Sequence, residues 1–183
     1  MSLELVKINY GAGELNLPGF INIDIEVSKE VKPDLIADLR KCPLPFKDDS
    51  VECIYMIHAI EHIEIKYWPR FFVEFYRVLL QDGHLVFAYP EFEICAQKFI
   101  ENHKGMRDFW RAALYGRQLY PGDYHVVPMI SSDLAESLKS YGFRNIKYGP
   151  DPQHDGYSFL DCQKGKLLMT IEDVYRKEIF KIN

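Results

Sequence analysis

The sequence has no lysine- or arginine-rich block, no apolar run long enough to cross a bilayer and no closely spaced cysteine pair. Its 22 basic and 27 acidic side chains leave a net charge of −5. That balance disfavours a protein that tracks a nucleic-acid backbone, although a local basic groove stays open. A membrane span needs roughly 20 consecutive apolar residues, and no window approaches that. Met1-Ser2-Leu3-Glu4-Leu5 has neither the basic start nor the apolar stretch of a signal peptide, so a cytoplasmic location is expected. Cys42, Cys53, Cys95 and Cys162 are scattered without metal-ligand or redox spacing and read as free thiols of a reducing compartment. Repeats, low-complexity tracts and Pro/Gly-rich linkers are also missing. With 48% hydrophobic and 27% charged residues, the composition is that of a globular chain, and residues 1–183 are expected to form one domain.

What is present is an alternation of strand-like and helix-like segments. Leu3 to Asn9 reads as a strand stopped by Gly11-Ala12-Gly13. Phe20 to Ile25 alternates apolar and polar residues after the Pro18-Gly19 turn, and Asp34 to Asp38 is a third short strand. Val51 to Ile57 is nearly continuous in apolar residues, as in a strand buried on both faces. The spacing predicts a helix over 66–80, with Phe71, Phe72, Phe75, Val78 and Leu79 on one face and Arg70, Glu74 and Arg77 elsewhere, ended by Asp82-Gly83. Leu85 to Tyr89 is the next strand. Helices are expected over 92–102, over 107–115, and from a Ser131 or Ser132 cap to Ser140. Ile146–Tyr148, Tyr157–Cys162 and Leu167–Thr170 supply closing strands, and a terminal helix opens near Thr170. Its Ile171, Val174, Tyr175 and Ile179 form an apolar stripe.

The fold class that follows is α/β, a compact Rossmann-like, doubly wound and mostly parallel sheet with an antiparallel closing strand. Only six residues, 14 to 19, separate the first two strands, too few for a crossover helix, and the next gap is also short. Reduced helices between the first strands are therefore expected.

Ligands of such sheets bind beyond the carboxyl ends of the strands. Gly11 and Gly13 end the first strand, where a tight turn and close backbone approach need glycine. Asp24 ends the second, placed to accept both hydroxyl protons of a ribose. Asp38 ends the third, placed to accept from an exocyclic amine. His58-Ala59-Ile60-Glu61-His62 follows the fourth. Any one of these is common. The ordered series is not.

On these residues the sequence resembles the class I S-adenosylmethionine-dependent methyltransferases of the small type-11-like group. The matching text runs through Ile8-Asn9-Tyr10-Gly11-Ala12-Gly13, Phe20-Ile21-Asn22-Ile23-Asp24, Asp38-Leu39, Leu44-Pro45-Phe46-Lys47-Asp48-Asp49-Ser50, His58 to His62, Arg77-Val78-Leu79-Leu80 and Gly83-His84-Leu85. It covers residues 3–90 well and continues loosely through Gly122-Asp123-Tyr124-His125 and Tyr141-Gly142-Phe143. The resemblance implies S-adenosylmethionine as cofactor. Gly11 and Gly13 would face its methionine and ribose parts, with Tyr10 and Ala12 beside them. Asp24 and Ile25 would hold the ribose, Asp38 and Leu39 the adenine, and His58 the methionine end. It also implies a cofactor half over about 1–90 and an acceptor half over about 91–183. The family's commoner acid before the glycines and third glycine are replaced here by Asn9 and by Glu14-Leu15.

Transfer to a hydroxyl or amine requires a base. His125, in a turn-rich loop beyond the sheet strands, is the expected one, with Asp123 or Tyr124 orienting the substrate. His154-Asp155 is a weaker pair. A small-molecule or glycan acceptor is expected, with the protein a monomer or homodimer. No metal ligand set is assigned. Three other readings compete. His58-x-x-Glu61-His62 spells the inverted zinc-protease motif, which requires a helix throughout and a third ligand; Glu91, Glu93 and Glu101 are candidates that nothing selects. A nicotinamide dehydrogenase would want a third glycine opening a helix. A degenerate, non-catalytic methyltransferase-like module would account for the trimmed front half.

Overall fold

The apolar alternation of the first half becomes a seven-stranded sheet in the computed structural model, which describes residues 5–120 and 122–166. In chain order the elements are β1 (Val6–Tyr10), β2 (Ile21–Asp24), β3 (Leu35–Ile36), β4 (Val51–Ile57), α1 (Trp68–Val78), β5 (Leu79–Pro90), α2 (Phe92–Ile100), α3 (Arg107–Tyr115), α4 (Ser131–Ser140), β6 (Phe143–Pro150) and β7 (Tyr157–Lys164). The sheet order is β3-β2-β1-β4-β5-β7-β6. β1 to β5 pair in parallel, and β7 runs antiparallel to both β5 and β6. The order turns back between β1 and β4, which opens the crevice in which ligands of such sheets sit.

One face of the sheet is well covered. Phe71, Phe72 and Phe75 of α1 pack with Ile8 and Tyr10 of β1, Ile54 and Met56 of β4, and Phe87 of β5; Leu134 and Leu138 of α4 extend the same core. Tyr10 meets Phe71 and Phe75 edge-on, with ring centroids 5.6 and 5.7 Å away. Trp110, Cys95 and Ala113 make a smaller cluster between α2 and α3.

The opposite face is covered less, for the reason the short gaps suggest. Among the described residues, the β1–β2, β2–β3 and β3–β4 connections contain no helix. β4 therefore differs from its expectation: Val51, Ile54 and Met56 are buried, but Cys53, Tyr55 and Ile57 are only partly so. A polar network stands where a crossover helix would. Asn9 Nδ2 donates to the Leu15 carbonyl at 2.7 Å and to Asn22 Oδ1 at 3.0 Å. Asn22 Oδ1 accepts from Leu17 N at 2.8 Å, and Asp34 Oδ2 accepts both the backbone and side-chain N–H of Asn22. Those donors hold the Asp34 carboxyl below its usual range. The replacement of an acid by Asn9 is thus structural: an amide can donate to the turn that closes over it.

Three further expectations shift. Helix α1 stops at Val78, and Asp82-Gly83 lies within β5, with Asp82 in the left-handed region. Ser131 begins α4 but does not cap it; its hydroxyl donates to the buried Glu91 carboxylate, which also accepts the Ser131 N–H at 3.1 Å. Glu74, expected off the apolar face of the helix, is nonetheless buried. The strand at 167–170 and the terminal helix with its stripe lie outside the described residues. No helix of the described residues is long and apolar enough to cross a membrane.

Candidate active site

A cavity of about 420 Å³ opens at the crevice between β1 and β4. Its floor is the Gly11–Leu15 turn, one wall is Ile57, His58, Glu61 and His62, and the other comes from α3 and the following loop. Its size falls within the range of small-molecule and cofactor sites.

The glycines are required by geometry. Gly11 has φ +73°, and a Cβ there would stand 2.5 Å from the Ala59 Cβ. Gly13 has φ +52° with open space beside it. The turn is held by the Ile23 carbonyl, which accepts from Gly11 N at 2.9 Å and Ala12 N at 3.0 Å. At the end of β2, Asp24 Oδ2 accepts from Gly13 N and Oδ1 from Ile25 N, both at 2.7 Å. A carboxylate has about four lone-pair sites, so capacity remains for two hydroxyl donors. The sugar end of an adenosyl cofactor fits this cradle.

The expected adenine end is more occupied. Asp38 pairs with Arg40 through Oδ1 at 2.8 Å and Oδ2 at 3.0 Å, and Lys41 lies 3.2 Å away. The Arg40 bond chiefly pulls the Asp38 carboxyl down to about 2. Leu39 is fully buried, and its N–H donates to the Tyr10 hydroxyl at 3.0 Å. Tyr10 therefore acts from beneath, joining β1 to the turn after β3.

The loop from Asp38 toward β4 is fastened by α1. Arg77 donates to Glu74 through Nε at 2.9 Å and Nη2 at 2.6 Å. It also donates to the carbonyls of Phe46 at 2.9 Å and Leu44 at 3.1 Å, and to Asp48 at 2.6 Å. Glu74 in turn accepts the Leu44 N–H at 2.8 Å. The Leu44–Ser50 stretch and Arg77, distant in sequence, are one fastening.

At the end of β4, His58 takes a left-handed conformation, φ 52°, and meets the Tyr157 ring edge-on at 5.0 Å. A single 3-10 turn over Ile60–His62 follows. His58 and His62 therefore do not share the helix face that the inverted zinc-protease motif demands. His62 instead approaches His125, their ring centroids 4.8 Å apart. Each donates Nδ1–H to a backbone carbonyl at 3.0 Å, His62 to Tyr124 and His125 to Ala113. In the neutral ring this tautomer leaves the lone pair on Nε2. Burial pushes the His125 imidazole below its ordinary value, with Glu61 pulling in the opposite sense. Glu61 is 1% exposed, and neither carboxylate oxygen has a hydrogen-bond partner.

Of the residues expected on the acceptor side, His125 lines the cavity. Asp123 also lines it, and it ties the loop by accepting Leu119 N at 3.2 Å. The Tyr124 side chain is half exposed and does not line the cavity; its carbonyl orients His62. His154 pairs with Asp151, and Asp155 with Lys98, both away from the cavity lining. Glu91 is engaged by Ser131. Phe109, Arg117, Tyr120 and Tyr157 enter the lining without a sequence signal, because α3 and β7 meet the site only through tertiary packing.

Comparisons with known proteins bear on the fold and the family. Residues 22–87 match the family model described as a methyltransferase domain. No curated protein matches. Among solved structures, the chain is similar to a SAM-dependent methyltransferase of Thermotoga maritima described as a possible histamine N-methyltransferase. Identity is 15%, coverage 87% of this chain and 82% of that one, and the TM-score 0.58. An S-adenosylmethionine-dependent methyltransferase of Mesorhizobium loti is 17% identical, with 88% and 91% covered and a TM-score of 0.56. Phosphoethanolamine N-methyltransferase 2 of Haemonchus contortus, bound to phosphomonomethylethanolamine and S-adenosylhomocysteine, is 13% identical. There 91% of this chain covers 50% of the other, with a TM-score of 0.54. At these identities the likeness is one of fold. Fold and family-model match together bear out the resemblance to class I, type-11 methyltransferases.

Proposed function

We propose that this chain is an S-adenosylmethionine-dependent methyltransferase whose acceptor, a small molecule or glycan, enters past α3 and the loop that follows it. The observation that carries the reading is the left-handed Gly11–Gly13 turn, which floors the cavity and is fastened from outside its lining by the Asp24 carboxylate. The bound cofactor supplies an electrophilic methyl group on a sulfonium. Asp24 accepts from the ribose hydroxyls, Gly11 to Gly13 let the backbone approach the ligand closely, and His58 borders the methionine end. Asp38 borders the adenine while sharing its carboxylate with Arg40, and the fully buried Leu39 supports that turn from within.

The chain's contribution to the chemistry is position, aromatic surface and a proton acceptor. Alignment of nucleophile and methyl carbon can supply several kcal/mol, up to ~7–11 in ideal cases. Phe109 and Tyr120 line the cavity and present aromatic surface to the acceptor side. His125 Nε2 would take the proton given up by a hydroxyl or amine acceptor. Its Nδ1–H stays on the Ala113 carbonyl and keeps the ring oriented. Asp123 acts by holding the loop. We further propose a monomer or homodimer working in the cytoplasm, with nucleic acid disfavoured as acceptor by the acidic balance.

A second reading, a cofactor-binding module without transfer, draws on the Asp38–Arg40 pairing and on the engagement of the Leu39 N–H by Tyr10. A thermal-shift panel of S-adenosylmethionine, S-adenosylhomocysteine and NAD tests the cofactor assignment. A rise in Tm with the first two alone is expected. A response to NAD alone would overturn it. Release of S-adenosylhomocysteine on incubation with small-molecule and glycan acceptor pools then separates enzyme from module.

A further inference from the structure

We propose that Glu61, His62 and His125 form a binding site for a divalent transition-metal ion at the acceptor end of the cavity. The inference goes beyond the function proposed above and does not depend on it. One potential ligand atom from each residue lies within 4.8 Å of the other two.

Three observations point to an ion. The first is the carboxylate. Glu61 is almost fully buried, and both its oxygens lack a hydrogen-bond partner; the nearest cationic candidate, His58 Nδ1, stands 3.7 Å from Oε1. A buried carboxylate left unpaired costs several kcal/mol. The second is the histidine pair. Both rings commit Nδ1–H to a backbone carbonyl and keep Nε2 as an acceptor. This is the outer-shell arrangement that fixes tautomer and orientation in metal-ligating histidines. Two lone pairs and a carboxylate brought together repel one another unless a cation lies between them.

The third is the scaffold. Glu61 and His62 are adjacent in the 3-10 turn after β4, and the Val126 N–H donates to the Glu61 carbonyl at 2.9 Å. The same backbone contact sets His125 opposite. All three side chains line the cavity, so further coordination positions face a ligand or water. Two imidazoles and one carboxylate suit zinc and its first-row neighbours, with bonds of roughly 2.0–2.2 Å. The trio must draw in by about an ångström, which side-chain torsions can supply. If His125 accepts the acceptor's proton, a bound metal competes for the same lone pair and makes the site metal-sensitive.

The test is calorimetric titration of the whole chain with zinc, using metal-free protein and a Cys42→Ser background that removes the exposed thiol. One ion per chain is expected, with affinity at least tenfold weaker in Glu61→Gln and in His62→Gln. No saturable binding, or unchanged affinity in folded Glu61→Gln, overturns the proposal. Cobalt absorption of the unmutated protein gives a readout independent of how the variants fold. Visible ligand-field bands without thiolate charge transfer are expected; a thiolate band or no visible spectrum contradicts the site.

Discussion

Replacing Arg77 with alanine should destabilise the protein far more than its place on a helix surface suggests. The side chain is 30% exposed, yet it donates to Glu74, Asp48 and two backbone carbonyls. Its loss leaves the Glu74 carboxylate, 8% exposed, with the Leu44 N–H as its remaining donor among these contacts. Breaking a buried pair by deleting one partner costs about 3–5 kcal/mol. Because water reaches Arg77, the low end applies, about 3 kcal/mol. For a domain of this size each kcal/mol moves Tm by roughly 2–4 °C, so a fall of roughly 6–12 °C is expected. Thermal unfolding followed by far-UV circular dichroism measures it, with Arg70→Ala as the control. Arg70 donates to the Arg40 carbonyl at 3.2 Å and should cost under about 1 kcal/mol. If the buried charge is the cause, Glu74→Gln combined with Arg77→Ala should be less destabilised than Arg77→Ala alone. A single-variant shift no larger than that of Arg70→Ala, or a double variant worse than both singles summed, would refute the reasoning.

Gly11→Ala should destabilise the protein more than Gly13→Ala, since both pay about 1–2 kcal/mol for a left-handed backbone but only Gly11 drives a Cβ into Ala59; equal Tm losses would contradict the close approach. Asp38 should shape the acid limb of stability. Its carboxyl is held at about 2 when folded and returns to an ordinary value when unfolded, so its contribution is full above pH ~4 and fades as pH falls toward 2. Asp38→Asn should flatten the pH dependence of Tm in that window, and an unchanged slope would remove Arg40 as its cause. Tyr10→Phe removes the hydroxyl that accepts from the Leu39 N–H and should cost roughly 1–3 kcal/mol by the same melting assay. A neutral result would mean that water replaces the bond.

The sheet was legible in the sequence because its signals are local. β4 and α3 match their expected boundaries, and the short gaps after β1 and β2 correctly announced missing crossover helices. The partners that substitute for those helices were not legible: that Asn9 reaches Leu15 and Asn22 depends on how a turn folds back over the strand. At the site, Gly11, Gly13 and Asp24 stood out because backbone conformation and strand-end position constrain residue type. Glu61 was visible only as part of a motif whose usual geometry is absent. Its burial, and the pairing of His62 with His125 in place of His58, come from a loop more than sixty residues downstream. Arg117 and Tyr157 carry no local pattern that separates a cavity wall from an ordinary surface.

The central claim is that the Gly11–Asp24 cradle holds S-adenosylmethionine. Isothermal titration of the folded chain with S-adenosylmethionine, in parallel with Asp24→Asn, tests it most directly. A charge-assisted hydrogen bond contributes about 1.5–3 kcal/mol, so binding should weaken roughly 10–150-fold in the variant, which also loses some ligand-free Tm because its amide nitrogen cannot accept one of the Gly13 and Ile25 N–H bonds. Absence of binding to the unmutated chain, or equal affinity in folded Asp24→Asn, would contradict the account.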